Sequence, residues 1–537
     1  MHEVTRLSRL LAFSLVTLSA TSAFAAGPDV LKNARHDTSL PLTQLAAGGG
    51  GPSKQPDRDM AEPRATRDAL GNGRADAVAA PLAGPLDGVT SVIGFDGQSA
   101  ADNRRVFGFA FVPPDTNGAV GASQFVQMVN VTIAVYGKRD GALQLGPAPI
   151  HSLWRGFGGL CENGGQTATF SDGGDPIVLY DHLANRWLVS QLQFDETFTN
   201  TAQCIAVSTS SDARGSYNRY EFDFGLNFPD YPKFGIWPDA YYNSINVFRG
   251  KPFAGAQACA FDRAAMLTGA AASVICFQQP PSVSSLLPAD LDGSTPPPTG
   301  APNYFVGLAD ATHLQLFRFH ADFANPAAST LSGPVLIDVA AFNEICARAN
   351  SVACIPEPPS GEKVDGLSDR VMFRLAYRNF GDHEALVVNH TVLGGALGGV
   401  RWYEIRNPAA TPTIFQQGTI VDPDTDFWLG SIAMDRTGNI AVGFSAMSHR
   451  DFSSVYVAGR KSSDPRGAMF GPLRLAVGSG VQVNSFKRWG DYSSMTVDPE
   501  DDCTFWFTQE YYIASGSFNW ATHVGAFKFD SCKPGGK

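Results

Sequence analysis

From about Val89 onward the chain alternates short apolar and aromatic runs with clusters of Gly, Asp, Asn and Pro, the pattern of strands joined by hairpins. Residues 124–136 read QFVQMVNVTIAVY. Residues 176–194 (PIVLYDHLANRWLVSQLQF), 431–444 (SIAMDRTGNIAVGF) and 494–507 (SMTVDPEDDCTFWF) each predict two strands around a polar turn. These units share a plan: a Gly/Asp/Pro cluster, an apolar run to an Asp, a turn, and an apolar return. They begin near Asp115, Asp175, Asp230, Tyr304, Asp369, Gly430 and Asp491, at intervals of 60, 55, 74, 65, 61 and 61 residues. A repeat of that length holds a four-stranded sheet, and radial repetition of such sheets protects strand edges. The expectation for 88–537 is an all-β β-propeller of seven four-stranded blades. Six blades result if the fifth and sixth units merge, and a pair of β-sandwiches is the competing architecture. Residues 280–302 read as a Pro-rich insertion that blurs the fourth unit. The terminal run 521–529 (ATHVGAFKF) is expected to complete a sheet with residues 89–95 or 107–111.

The N-terminal part has no such pattern. Arg6 and Arg9 precede an apolar stretch from Leu10 to Leu18, and small residues end in Ala23-Phe24-Ala25. That order is a secretory signal peptide over residues 1–25. Residues 26–87 are rich in Ala, Gly, Pro, Asp and Arg, with a bare glycine run at 48–51, and read as a flexible linker or pro-segment. No apolar run is long enough for a transmembrane span.

Eight cysteines (Cys161, Cys204, Cys259, Cys276, Cys346, Cys354, Cys503 and Cys532) give an even count without C-x-x-C spacing, which fits disulfides in an oxidising compartment and no zinc site. The preferred connectivity joins sequence neighbours, 161–204, 259–276, 346–354 and 503–532, among the 105 pairings that eight cysteines allow. Composition then narrows the function classes. Charged residues make up only 17% and the net charge is −11, so nucleic acid is not an expected partner. Aromatic content of 11% excludes wholesale disorder.

Several phrases carry a resemblance: PPDTNGAVG (113–121), GDPIVLYD (174–181), FPDYPKFGIWPDAYY (228–242), LAYRNFGDHEALVVNH (375–390) and RWGDYSSM (488–495). In this order they resemble a family of secreted bacterial proteins. The resemblance covers roughly residues 88–532 and implies a β-propeller fold and export, but no particular activity. A second, weaker one is to sialidase- and arabinanase-type propeller glycosidases, through CIAVSTSSDARGSY (204–217). Against the Asp box S-x-D-x-G-x-x-W, Ser210 and Asp212 match, Gly215 falls one residue late and Tyr217 replaces Trp. That box is a folding motif, so it speaks for fold before activity.

The repeat starts supply Asp115, Asp175, Asp230, Asp369 and Asp491, which a propeller would bring toward its axis. Carboxylates held close raise one another's pKa, giving a general acid beside a base or nucleophile. We take Asp115, Asp175, Asp230 and Asp491 as the catalytic candidates, with Arg488, Glu510, Trp489 and Tyr241 as substrate-binding candidates. The competing reading has each Asp capping its own turn. The same ring suits a structural Ca²⁺ ion. Asp422, Asp424 and Asp426, and Asp290 with Asp292, offer weaker calcium spacings. His383 and His390 differ by an odd number on a strand-like run, so they face opposite sides and do not share an ion. Arg374, Arg378, Arg401 and Arg488 lie beside aromatics, suited to a sugar carboxylate or to locking acidic neighbours.

These readings point to a secreted protein, periplasmic or extracellular. Its expected role is to act on or bind extracellular polysaccharide, as a glycoside hydrolase or polysaccharide lyase with carboxylates at the channel mouth. The alternative is a non-catalytic propeller that binds glycan or a surface protein.

Overall fold

A computed structural model describes residues 27–47, 57–59, 70–71, 73–164, 172–346, 353–357, 360–483 and 486–533. The expected signal peptide lies outside the described residues. Among them, seven antiparallel four-strand sets follow one another. The first set is Asn117–Val120, Gln124–Val129, Thr132–Gly137 and Leu143–Pro149. The second is Ile177–Asp181, Arg186–Phe194, Thr201–Ser208 and Tyr217–Gly225. The third is Asn227–Ile236, Ala240–Arg249, Phe253–Asp262 and Ser273–Gln278, and the fourth Leu287–Leu291, Asn303–Asp310, His313–His320 and Thr330–Asp338. The fifth is Met372–Asn379, Glu384–Leu393, Gly398–Arg406 and Thr413–Val421, and the sixth Thr425–Met434, Ile440–Ser448, Ser454–Arg460 and Phe470–Ala476. The seventh takes Ser494–Val497, Thr504–Tyr512 and Trp520–Phe529 from the C-terminal end and Val89–Ser99 from the N-terminal end. Val89 pairs with Phe529 and Phe95 with Val524, so the first of the two expected partners supplies the strand.

The inner strands bury both faces, which is why they read as nearly continuous apolar runs, whereas outermost strands such as Thr330–Asp338 and Phe470–Ala476 are largely exposed. Val126, Met128, Val178 and Val189 fill the space between sheets one and two, and Leu179, Ile205, Ile245 and Val247 that between two and three. Sheets three to five share Tyr242, Phe305 and Leu386; Trp402 and Ile432 join five to six, and Val457 and Phe507 join six to seven. Sheet seven packs back on sheet one, with Phe125 stacked on Trp506 at 5.4 Å. The first strand of each sheet lies beside that of the next, and that of sheet seven beside that of sheet one.

All four disulfides join sequence neighbours: 161–204, 259–276, 346–354 and 503–532. Two expectations need correction. The fourth unit starts at Leu287, inside the supposed insertion, and Tyr304 falls on its second strand. Pro288 has no N–H to donate, and the antiparallel ladder of that first strand stops after two residue pairs. The strand then runs parallel to sheet five, Ala289 beside Leu375 and Leu291 beside Tyr377. Nor are the described parts of 26–87 a linker. Asp29–Lys32 extends sheet three, Arg35–Thr38 extends sheet two and Ala79–Pro81 runs along the edge of sheet five. Leu42 and Leu45 are buried in the sheet one–two core. Backbone pairing of exposed edges, with two anchoring leucines, holds this segment despite its lack of periodicity. No helix among the described residues is long and apolar enough to cross a membrane.

Candidate functional site

Left-handed residues precede the first strands at Asp115 (φ 48°), Asp175 (φ 50°) and Leu367 (φ 37°), and sit at bulges within them at Tyr231 (φ 53°) and Leu429 (φ 50°). Asp tolerates this conformation better than most side chains, so the turn itself favours it at two of these positions. The turns place the carboxylates inward, where they tie one sheet to another instead of capping their own loops. The Asp491 amide donates to Asp115 Oδ1 at 3.0 Å, and Asn130 Nδ2 donates to Asp115 Oδ2 at 2.7 Å. The Asp175 amide donates to Asn130 Oδ1 at 3.1 Å, and the Tyr231 amide to Asp175 Oδ2 at 3.0 Å. One hydrogen-bonded belt therefore crosses sheets seven, one, two and three.

Cations sit on this belt. Arg488 donates to Asp491 at 2.5 Å. Lys233, fully buried, holds its ammonium 3.5 Å from the Tyr231 ring centroid and 3.4 Å from that of Tyr492. Arg370 lies 4.5 Å from the Tyr231 ring and pairs with Asp369 at 2.7 Å. Burial pushes the Asp115 carboxyl well above the usual range, reinforced by the charges of Asp491 and Asp175. Burial also raises Asp175, opposed chiefly by Lys233. It pulls Lys233 down to about 7 against the attraction of Asp175, Asp115 and Asp491. Asp175 keeps a small accessible surface, whereas Asp115 and Asp491 are buried.

The structure thus brings Asp115, Asp175, Asp491 and Arg488 together. Glu510 lies against them: the Gly490 amide donates to its Oε2 at 2.7 Å, and burial raises its carboxyl well above normal. Asp230 is buried beside Tyr231 in a bulged stretch of its strand. Trp489 packs between Trp428 and Tyr512, each 5.6 Å away, and its indole donates to Ser445 Oγ. Tyr241 lies on another strand near the far end of the sheets, buried, with its hydroxyl on Asp181 at 2.9 Å. Both are core side chains in this arrangement. Lys233, Tyr231, Tyr492 and Asn130 escaped the sequence reading. Two Asp-Tyr pairs at unit starts, 230–231 and 491–492, were the available signal.

No group of three or more His, Cys, Asp or Glu side chains among the described residues is placed to hold a metal ion. Asp422 and Asp426 instead accept the amides of Asp424 and Gly398. His383 bonds Asp382, while His390 lies buried against Tyr403 and Phe342.

A cavity of about 570 Å³ opens at the opposite, downstream end of the first strands. Here Arg374 binds Asp290 at 2.7 Å and Asp292 at 2.7 and 2.9 Å, and Arg378 binds Asp502 at 2.7 and 2.9 Å. These arginines tie sheet five to acidic side chains of sheets four and seven, though not to those of the belt. Arg401 likewise pairs with Asp76.

No protein-family model matches the chain, and no curated protein matches it in sequence. Among solved structures it is similar to the phage phi92 endosialidase, with 8% identity, a TM-score of 0.34, and coverage of 78% of this chain and 67% of that one. It is similar to a Penicillium chrysogenum alpha-L-arabinanase (8%, TM-score 0.36, covering 83% and 99%). A third is a Fusarium graminearum alpha-L-arabinofuranosidase (8%, TM-score 0.35, covering 83% and 99%). Likeness at this level carries no argument about substrate, so the functional reading rests on the site's own geometry.

Proposed function

We propose that the protein is a secreted, disulfide-bonded β-propeller of seven four-stranded blades that acts on extracellular carbohydrate, as a glycoside hydrolase or polysaccharide lyase. The packing of sheet seven on sheet one supports closure, and four disulfides with the charged-then-apolar N-terminus support export. One observation carries the catalytic reading: Asp115, Asp175 and Asp491 arrive from three sheets at one buried cluster with Lys233. Burial shifts the Asp115 and Asp175 carboxyls up and the Lys233 ammonium down, and clustered groups with shifted pKa values are the raw material of acid–base chemistry. Asp115, whose carboxyl is pushed up by burial and by the charges of Asp491 and Asp175, is the candidate acid. Asp175, compensated by Lys233 and reachable from outside, is the base or nucleophile. Arg488 and Glu510 set the charge around them.

A second reading has its own observation. Asp115 and Asp175 each accept a backbone amide from a neighbouring sheet, as a structural lock does, which suits a non-catalytic propeller that binds glycan or a surface protein. The test is a polysaccharide panel read by new reducing ends and by unsaturated-uronate absorbance, on wild type and Asp175→Asn. Loss of an acid–base group lowers turnover by about 10²–10⁴-fold, and Asn still accepts the Tyr231 amide, so the fold persists. Turnover that survives Asp175→Asn removes this residue from the mechanism. Binding without turnover on any substrate favours the second reading.

A further inference from the structure

The downstream cavity shares no residue with the aspartate belt, and its chemistry is different. Six sheets contribute strand residues to its wall, among them Val120, Tyr180, Ile236, Leu291, Arg378 and Val497, and the first turn of sheet six adds Arg436. Its volume is within the range of small-molecule sites. The guanidinium–carboxylate pairs of Arg374 and Arg378 present fixed donors and acceptors side by side. Two further polar atoms are buried with no hydrogen-bond partner: His182 Nε2 and Thr496 Oγ1. An unsatisfied buried polar atom is costly, and a ligand that reaches it recovers that loss.

The charge balance selects the ligand. Asp290, Asp292, Glu500, Asp501 and Asp502 outnumber Arg374, Arg378 and Arg436 in the wall, so an anion is repelled. A hydroxyl group both donates and accepts, which suits alternating guanidinium and carboxylate edges. Tyr180 and Phe380 add aromatic surface for the apolar face of a sugar ring. We propose that this cavity is a binding site for a neutral mono- or disaccharide unit, separate from the aspartate belt. His182 and Thr496 contact its hydroxyls, and the two arginine–aspartate pairs orient it.

The test uses the intact mature chain on an array of neutral, acidic and amino oligosaccharides, followed by calorimetry with the neutral disaccharide that gives the highest signal. His182→Ala and Thr496→Val are each expected to weaken its binding about tenfold, the worth of one lost hydrogen bond, and Asp175→Asn to leave it unchanged. Three outcomes overturn the proposal: no neutral glycan bound, a preference for uronates, or binding indifferent to both cavity variants. Binding lost in Asp175→Asn but kept in the cavity variants would move the site to the belt, sinking this inference while sparing the proposed function. Turnover lost in Asp175→Asn with cavity binding intact would support both.

Discussion

Replacing Arg374 with Met asks whether the charges at the downstream end hold the sheets together. Arg374 is 2% exposed, between Asp290 at 5% and Asp292 at 10%. Met preserves most of the stem's packing but leaves two carboxylates buried without their cation. Removing one partner of a buried ion pair costs ~3–5 kcal/mol. For a folded unit of about 450 residues, the usual unfolding entropy gives ~0.9 kcal/mol/K, so the melting midpoint falls by roughly 3–5 °C. The pH dependence has a definite sign. Burial raises the Asp290 pKa, Arg374 opposes that, and Asp292 adds to it. Without Arg374 the folded pKa climbs further above the unfolded value, and the protonated carboxyl is favoured. Stability linked to such a group is present at low pH and lost as pH rises through the folded pKa. The deficit should therefore shrink between about pH 7 and about pH 4.5, and Arg374→Met/Asp292→Asn should recover part of it. Calorimetric melts of the three proteins at both pH values measure this. A deficit below about 1 kcal/mol at neutral pH, or one equal at both pH values, refutes the argument that these charges depend on each other.

Other expectations follow from the same geometry. Between about 7 and 10.5 the unfolded chain holds the Lys233 proton and the folded chain does not, so stability climbs with pH across that window. Lys233→Met should flatten the climb in urea melts, and a wild-type slope that persists in the variant removes Lys233 as its source. The 503–532 disulfide spans 29 residues beside the strand that joins the two chain ends, worth ~3.6 kcal/mol of unfolded-chain entropy. Cys503→Ser/Cys532→Ser should lose up to that amount in denaturant midpoints; an unchanged midpoint contradicts it. Leu42→Ala should cost ~2–4 kcal/mol, since that side chain is buried between sheets one and two. A negligible effect would restore the linker reading of the N-terminal segment.

Which parts were legible in the sequence depended on how far apart the cooperating residues lie. Strand pairs joined by tight turns, such as Ser431–Met434 with Ile440–Gly443, announce themselves because the turn fixes both register and spacing. Disulfides between sequence neighbours follow the same locality. The strands Asp29–Lys32 and Arg35–Thr38 did not show, because four residues at an exposed edge need no apolar alternation; their partners supply the ladder. The aspartates were visible one by one through the repeat, yet their bonds were not. Asp115 accepts its amide from Asp491, 376 residues later, and Arg374 clamps Asp290 across 84. The left-handed turns favour Asp at 115 and 175 locally, but both carboxylates answer the backbone of adjacent sheets, and those bonds depend on the sheets coming together. Any change that opens the contact between sheets seven and one should therefore free the Asp115 carboxylate first, since its Oδ1 partner, the Asp491 amide, belongs to the other side of that contact.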